Sequence, residues 1–145
     1  MKLSTRARYG TRALLDLTRH AGEKPVQLKE IAGRQNISLH YLEHIITPLV
    51  GAGIIRSIRG ARGGLKLTRH PKDVKLSEVI QLLEGTIAPV DCIGNPESCD
   101  RADLCVTRDV WCEMKKAIDA TLDSVTLQDL VEKQKRKEAS VKVRG

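Results

Sequence analysis

Four cysteines fall within residues 92–112, and the other 124 positions of the 145-residue chain contain none. Cys92, Cys99, Cys105 and Cys112 are separated by six, five and six intervening residues. Soft thiolates bind zinc and iron–sulfur clusters, although no pair has the two-residue spacing that is common in structural zinc sites. The spacing therefore leaves three alternatives open: an iron–sulfur cluster, a zinc site, and cysteines that serve thiol redox chemistry or have no chemical role.

A second pattern with chemical meaning is His40-Tyr41-Leu42-Glu43-His44, which matches the His-x-x-Glu-His pattern of one class of zinc peptidases. A five-residue pattern arises easily by chance, and a peptidase would also need a third metal ligand and a substrate cleft, for which the sequence offers no candidate. The pattern lies in a strongly basic half of the chain. We therefore expect no enzyme and interpret His40, Glu43 and His44 as exposed polar side chains.

Charge is distributed unevenly along the chain. Residues 1–72 hold 14 Lys or Arg against four Asp or Glu, a net charge of +10, whereas residues 73–131 hold five against 12, a net of −7. A basic half of this kind favours a polyanionic partner. Aromatic residues make up only 2% of the chain, so few rings are present on which single-stranded nucleic acid could stack. Double-stranded DNA is therefore the favoured partner.

The apolar runs of the chain are far shorter than the roughly 20 residues needed to cross a bilayer, so we expect no membrane association. The N-terminus runs directly into charged residues and shows no secretory signal. We therefore expect a cytoplasmic protein. In that compartment clustered cysteines bind metal or do redox chemistry more often than they form disulfides.

The basic half has the pattern of a helix-turn-helix. Apolar residues at helical spacing predict helices over residues 5–20 and 28–34 and a third helix from Leu39, which Ser38 is placed to cap. We expect the buried face of this third helix to consist of Leu39, Leu42, Ile46 and Leu49. A brief turn joins the second and third helices, as in helix-turn-helix units whose second helix enters the major groove.

The residues that follow predict a β-hairpin. Residues 54–58 are rich in β-branched side chains, residues 59–64 contain two arginines and three glycines, and Leu65 with Leu67 resumes the apolar pattern. A hairpin in this position is a wing, and such a tip can approach phosphates or the minor groove closely. The expected fold is mainly α, a winged helix-turn-helix with a small β-hairpin wing and a long C-terminal dimerisation helix.

The acidic part predicts a short helix near residues 76–85, a loop over residues 86–105 and a long helix from Thr107 to Leu122. The same helix of a second subunit would cover the apolar stripe of the long helix most simply, so we expect a homodimer. The stripe consists of Val110, Trp111, Met114, Ile118 and Leu122.

These patterns divide the chain into four segments. They are a winged helix-turn-helix DNA-binding domain at 1–75, a connecting helix with the cysteine-bearing loop at 76–106, a dimerisation helix and a final helix at 107–131, and a basic tail at 132–145 that we expect to be disordered. Thr126 with Asp129 resembles a capping box for the final helix.

Several segments resemble the Rrf2 family of bacterial transcription regulators. They are Met1 to Arg6 with Arg8-Tyr9, Val26 to Leu42, Ser57 to Gly60 with Gly63-Gly64, Leu83 to Gly85, and Leu122 to Leu127. Within the family, the chain is most similar to the IscR-type members that carry an iron–sulfur cluster. The resemblance spans about residues 1–131 and implies a homodimeric repressor or dual regulator that binds promoter DNA. It would sense iron–sulfur, iron, redox or nitric oxide status.

The resemblance also implies that Cys92, Cys99 and Cys105 hold the cluster. IscR-type proteins have a histidine three residues after the third cysteine, where this chain has Arg108, which cannot bind iron. Cys112, a loop carboxylate or an exchangeable small ligand is left as the fourth ligand. We expect a 2Fe–2S cluster ahead of a 4Fe–4S cluster, supplied by partner proteins that deliver clusters.

Twelve residues are candidates for contact with DNA. Ser38, His40, Tyr41, Glu43 and His44 would read the major groove, Arg56, Arg59, Gly60 and Arg62 would contact the backbone or the minor groove, and Lys2, Arg6 and Arg8 would contact the backbone. Two alternatives stand beside this function. One is a cluster-free Rrf2-type repressor of sulfur or cysteine metabolism under the control of a partner protein, and the other is a zinc or thiol redox sensor.

Overall fold

The computed structural model describes residues 2–144 of the chain. Its main elements are α1 (Thr5–Arg19), α2 (Leu28–Gln35), α3 (Leu39–Gly51), β1 (Ile55–Ile58), β2 (Gly64–Leu67), α4 (Leu76–Glu84), α5 (Val106–Asp123) and α6 (Leu127–Arg144). The mainly helical winged fold that the sequence predicts is confirmed. Within the described range, every helix is too short or too polar to cross a membrane.

The hydrophobic core is aliphatic, as the scarcity of aromatic residues requires. α1 lies at its centre and packs against α2, α3, α4 and α6. Leu14 of α1, Leu49 of α3 and Leu127 of α6 are all fully buried. α1 can approach α4 closely because residue 10 is glycine, and a Cβ on Gly10 would overlap the side chain of Leu83.

Serine hydroxyls cap α1 and α3. Ser4 accepts a hydrogen bond from the backbone N–H of Ala7 at 3.0 Å, and Ser38 accepts one from the backbone N–H of Tyr41 at 3.2 Å. Between the two helices of the helix-turn-helix, Asn36 adopts the left-handed conformation at φ 53° and ends α2. The brief turn and the two caps therefore match the sequence pattern.

One buried carboxylate fixes α2 against α1. Asp16 is 3% exposed and accepts hydrogen bonds from Arg34 Nη2 at 2.7 Å and Gln35 Nε2 at 2.9 Å. Arg12, also on α1, donates to Gln35 Oε1 at 3.2 Å. Burial raises the pKa of Asp16, but the hydrogen bonds from Arg34 and Gln35 outweigh it and leave the pKa below its ordinary value. Asp16 is therefore a charged group whose hydrogen-bonding capacity is met inside the fold.

A third extended segment joins the wing to the rest of the protein. β1 and β2 pair antiparallel, with Ile58 opposite Gly64. Val26 exchanges both backbone hydrogen bonds with Leu65, at 3.0 and 2.7 Å, so the loop before α2 extends the sheet. This close approach requires glycine at position 64, where φ is 153° and a Cβ would lie 2.5 Å from the Val26 carbonyl oxygen.

The C-terminal helix packs into the core of the winged domain. The backbone N–H of Leu76 donates to the Val125 carbonyl at 2.8 Å, and that of Leu127 donates to the Val74 carbonyl at 3.0 Å. The core is therefore continuous across residue 75. The segments 1–75 and 107–131 differ in charge, but they share one packed interior.

Of the tail at 132–145, which we expected to be disordered, residues 132–144 continue α6 as a helix, and residue 145 lies outside the described residues. Their composition explains the difference, since Lys, Arg, Glu and Gln all favour helix. The helix also starts from the predicted capping box, in which Asp129 accepts from the Thr126 N–H at 2.9 Å and Thr126 Oγ1 accepts from the Asp129 N–H at 3.1 Å. Arg19 of α1 pairs with Glu138 at 2.7 Å and ties the later turns to the domain.

The substitution Asp16→Ala tests the contact between α1 and α2. It leaves Arg34 and Gln35 without their acceptor, and because Arg34 is partly exposed we expect the free energy of unfolding to fall by about 2–3 kcal/mol. The matched control is Asp119→Ala, which removes an exposed pair with Lys115 and should cost less than about 0.5 kcal/mol. Urea unfolding measures both, and equal losses would contradict the assigned role.

The lowered pKa of Asp16 implies that the folded protein loses stability in acid. The pKa of Asp16 is lower in the folded protein than its ordinary value of 3.8. The contribution of the Asp16 carboxylate to the free energy of unfolding is therefore complete above its pKa in the unfolded chain. It is lost as the pH falls through its lower pKa in the folded protein. Below about pH 4, we expect the free energy of unfolding to fall more steeply in the wild type than in Asp16→Asn. A difference between the two proteins that stays constant down to about pH 2 would refute this.

Candidate nucleic-acid interface and cysteine site

α3 has one buried and one exposed face. Leu42, Ile45, Ile46 and Leu49 are buried against the rest of the helices. The opposite face carries His40, Glu43 and His44, all exposed. Leu39, which we expected in the core, is 43% exposed and lies at the start of this outer face. The outer face of α3 is therefore a row of polar side chains on a helix whose other side is held in the core.

His40 and His44 lie next to each other on this face. Their Nε2 atoms are 3.4 Å apart, and the two rings stand nearly perpendicular, at 88°. This arrangement follows from their separation of four residues, which places both side chains on one side of the helix. The described residues bring no third His, Cys, Asp or Glu to the pair in a metal-binding arrangement.

Ser38 and Tyr41 are engaged within the fold. Ser38 caps α3, and the ring of Tyr41 packs edge-on against Tyr9 of α1, with ring centroids 6.1 Å apart. Arg12 stacks on the other ring of the pair, its guanidinium carbon 5.2 Å from the centroid of Tyr9. Arg12 was missed in the sequence because its role depends on contacts between distant segments.

The hairpin tip presents three of the predicted residues together. Arg59, Gly60 and Arg62 are exposed, and the tip closes with a hydrogen bond from the Gly63 N–H to the Gly60 carbonyl at 3.0 Å. On the α3 side of the hairpin, Glu43 lines a cavity of about 350 Å³. Ser57 and Gly64 of the hairpin strands line the same cavity, so the outer face of α3 and the base of the wing lie next to each other.

Arg56 lies on the opposite face of the hairpin. It is directly across from Lys66 in the register, and it lines a cavity of about 280 Å³ together with Lys24 and Arg69. The next residue in β1, Ser57, lines the cavity on the α3 side instead, as the alternation of a strand requires. Like charges directly opposite on paired strands are destabilising. This face of the wing therefore concentrates positive charge at a cost to stability.

The three N-terminal candidates are also exposed, at Lys2, Arg6 and Arg8. Arg8 Nη2 donates to Thr5 Oγ1 at 3.3 Å, and Arg8 lines an apolar groove in which Leu122 of α5 takes part. Arg8 is therefore placed on the side of α1 that faces the C-terminal helices.

The four cysteines lie in the segment that we expected to be an irregular loop and in the helix that follows it. The segment contains three 3₁₀ turns, at Asp91–Ile93, Pro96–Ser98 and Ala102–Leu104. Cys99 is exposed, and Cys92, Cys105 and Cys112 are half-buried; all four are free thiols. In the part of the chain that the structure describes, the cysteines do not gather into a group of three metal ligands.

Arg108 joins two of the cysteine positions. Its Nε donates to the Cys92 carbonyl at 3.2 Å, and its backbone N–H donates to the Cys105 carbonyl at 3.1 Å. The Cys105 sulfur lies 3.1 Å from the hydroxyl of Thr107. This hydroxyl and the backbone N–H groups of Arg108 and Thr107 hold the pKa of the Cys105 thiol below its ordinary value. Three accessible thiols, one of them with a lowered pKa, fit an iron–sulfur cluster in donor chemistry.

α5 has no fully buried residue. Leu104, just before the helix, and Val106, its first residue, are 91% and 75% exposed. Val110 and Met114 on the predicted stripe are 54% and 36% exposed. Trp111 and Ile118 are half-buried. The apolar stripe of this helix is therefore covered only in part by the described residues of the chain itself.

A family profile described as "Rrf2: Iron-dependent Transcriptional regulator" matches residues 3–133. The chain belongs to the Rrf2 family. Among its Rrf2 relatives is Protein rrf2 of Nitratidesulfovibrio vulgaris, which is 46% identical over 131 residues, covering 90% of this chain and 87% of the relative. The resemblance inferred from the sequence is therefore confirmed, and the chain is an Rrf2-family transcription regulator.

Two solved Rrf2-family structures are similar to the chain. CymR, the global cysteine regulator of B. subtilis, has a TM-score of 0.78 and 39% identity, covering 91% of this chain and 97% of that one. IscR of T. potens has a TM-score of 0.76 and 42% identity, covering 92% of this chain and 88% of that one. The similarity to a cysteine regulator is thus as close as the similarity to IscR.

Proposed function

We propose that this Rrf2-family regulator is a cytoplasmic repressor or dual regulator that binds promoter DNA with α3 in the major groove and the hairpin as its wing. The observation that carries the proposal is the cavity that Glu43, on the polar face of α3, shares with Ser57 and Gly64 of the hairpin strands. A helix held in the core on one side and polar on the other is what a recognition helix requires.

The exposed side chains of α3 and of the wing tip have different roles. His40, Glu43 and His44 would meet base edges, whereas Arg59 and Arg62 would meet phosphates or the minor groove. Glu43 is repelled by phosphate and can accept a hydrogen bond only from a donor such as the cytosine N4 amino group. It would therefore disfavour DNA sequences that present no such donor at this position. Ser38 and Tyr41 would hold α3 in place while bordering the groove.

The remaining candidates would make contacts that carry no sequence information. Gly60 lets the wing backbone approach the duplex, and Arg56 adds to the positive field of the wing. Lys2, Arg6 and Arg8 would contact the backbone from the N-terminal end of α1.

The partly uncovered stripe on α5 supports a homodimer. An apolar helix face is stabilised when a second copy of the same face covers it, and a two-fold axis suits the paired half-sites of a pseudo-palindromic operator. Met114 and Val110, exposed in the single chain, would become buried in such an interface.

For the sensor we propose that Cys92, Cys99 and Cys105 hold an iron–sulfur cluster, with 2Fe–2S preferred and Cys112 as a candidate fourth ligand. A bound cluster would supply redox chemistry and sensitivity to iron supply and to nitric oxide. Arg108 would hold the Cys92 and Cys105 backbones together and contribute a positive charge beside anionic thiolates. Cluster-delivery proteins would be partners of this segment.

A physical connection joins the cysteine segment to the N-terminal end of α1. Glu84, the last residue of α4, accepts hydrogen bonds from the Ser4 hydroxyl and from the Ser4 N–H, the latter at 3.0 Å. The chain leads from Glu84 through Gly85 into the cysteine segment. A rearrangement of that segment could therefore shift α1 and change DNA affinity, a coupling that is typically about 1–3 kcal/mol.

The similarity to CymR favours one second candidate, a cluster-free repressor of sulfur or cysteine metabolism that a partner protein controls. The cysteines, which are not gathered in the structure, are compatible with it, as they are with a zinc or thiol redox sensor. Metal and sulfide content separates the three functions.

The DNA-binding surface is tested by Arg59→Ala. Loss of one phosphate contact should weaken binding about fivefold on unrelated duplexes and lower the slope of log K against log salt concentration by about 1. Arg136→Ala removes an exposed arginine far along α6 and is the matched control. Fluorescence anisotropy across a salt series measures both, and a wild-type affinity that does not respond to salt would exclude DNA binding of this kind.

The sensor is tested by anaerobic purification of the wild type and of Cys99→Ser. We expect iron and sulfide in the wild type and their loss in the variant, because Cys99 is a proposed ligand in an exposed turn. The neighbouring substitution Ser98→Ala is the control and should retain both elements. A colourless wild-type protein with stoichiometric zinc would favour the zinc sensor, and one without metal would favour the cluster-free repressor.

A further inference from the structure

The separation of the two histidine nitrogens on α3 has a specific chemical meaning. In a tetrahedral zinc site with Zn–N bonds of about 2.0–2.1 Å, two nitrogen ligands lie about 3.3–3.4 Å apart. His40 Nε2 and His44 Nε2 are 3.4 Å apart. The pair therefore has the spacing that one tetrahedral ion would require, without any movement of the helix.

Neither a hydrogen bond nor a square-planar ion fits this spacing as well. A hydrogen bond between ring nitrogens is best at about 2.7–3.2 Å, so 3.4 Å is long for one. A square-planar ion with nitrogen bonds of similar length would bring adjacent ligands to about 2.8–3.0 Å. The observed separation is therefore closer to that of two nitrogen ligands on a tetrahedral ion.

The surroundings of the pair also favour an ion. Both imidazoles are exposed, so binding would not require a charge to be buried. The part of α3 that carries them is held by the fully buried Leu42 and Ile45 on its inner face. This rigidity reduces the entropy that two free imidazoles would lose on binding one ion.

We propose that His40 and His44 form a two-histidine site for Zn²⁺ on the outer face of α3, with water in the remaining positions. The site is distinct from the cysteine segment, which lies in a different part of the chain. Neutral imidazole is a preferred zinc ligand, and the i, i+4 spacing on a helix is the one that lets two histidines share an ion.

A second part of the proposal rests on the proposed DNA-binding function. An Nε2 atom that binds zinc can neither donate nor accept a hydrogen bond, so His40 and His44 cannot contact base edges through this atom while the ion is bound. Zinc would therefore weaken specific binding to the operator. Binding to unrelated duplexes depends mainly on phosphate contacts and would change less.

Co²⁺ is the probe for the first part, because it takes tetrahedral sites and is coloured. The full-length protein is titrated with Co²⁺, and binding to cysteine is recognised by the intense thiolate charge-transfer absorption that histidine sites lack. We expect a class of sites with ligand-field bands only. Its affinity should fall at least tenfold in His40→Gln and in His44→Gln, and competition with Zn²⁺ should displace the cobalt.

His70→Asn is the matched control. It removes an exposed histidine elsewhere and keeps an acceptor for the Lys72 N–H that His70 now caps. This variant should leave the cobalt titration unchanged. Cys99→Ser should leave unchanged the ligand-field bands that appear without thiolate charge-transfer absorption. If both glutamine variants bind cobalt as the wild type does, the two-histidine site is wrong.

The second part is tested by operator binding with and without Zn²⁺. We expect at least a fivefold loss of operator affinity with zinc in the wild type. The double variant His40→Gln with His44→Gln is compared with its own affinity in the absence of zinc, and zinc should not lower that affinity. Unchanged operator affinity in the presence of demonstrated zinc binding would overturn the second part alone. Absence of DNA binding under every condition would overturn the proposed function, whereas the cobalt titration would still decide on the metal site.

Discussion

The orientation of the helix-turn-helix depends on a single buried carboxylate. Asp16 accepts from Arg34 and Gln35 at the end of α2, and the left-handed Asn36 immediately afterwards sets the direction of α3. A carboxylate that is shielded from water is unfavourable unless its hydrogen bonds are satisfied, so the contact between α1 and α2 favours the arrangement in which Arg34 and Gln35 reach Asp16. The polar face of α3 is directed outward as a consequence of that arrangement.

Local patterns in the sequence were sufficient for most of the fold. Helical spacing, the serine caps and the turn chemistry of the hairpin act over a few residues, and each of them appears in the structure where it was expected. The family resemblance was likewise carried by short segments spread over the chain. The candidate DNA-contact residues on the outer face of α3 and at the wing tip were accessible to the same reasoning, because a polar stripe opposite an apolar one is visible in the sequence.

Contacts between distant segments could not be predicted in this way. Asp16 looks like any helical surface residue until Arg34 and Gln35 are placed beside it, and Tyr41 looks like a groove-reading residue until its ring meets Tyr9. Leu39 was expected in the core because a spacing of three fits a helix face, but it lies at the edge of the stripe. The helical tail was missed because its charge suggested solvation, whereas its residue types favour helix and Arg19 is close enough to pair with it.

The return of α6 to the core affects the order in which the protein can form during synthesis. Leu127 fills a fully buried position, and its backbone N–H donates to the Val74 carbonyl, so the core of the winged domain is incomplete until α6 is made. A ribosome holds the most recent few tens of residues away from the folding chain. The winged half, although made first, therefore completes its core only after Leu127 has emerged from the ribosome, and a message truncated before Leu127 would encode a chain that exposes its apolar interior to the cell's proteases.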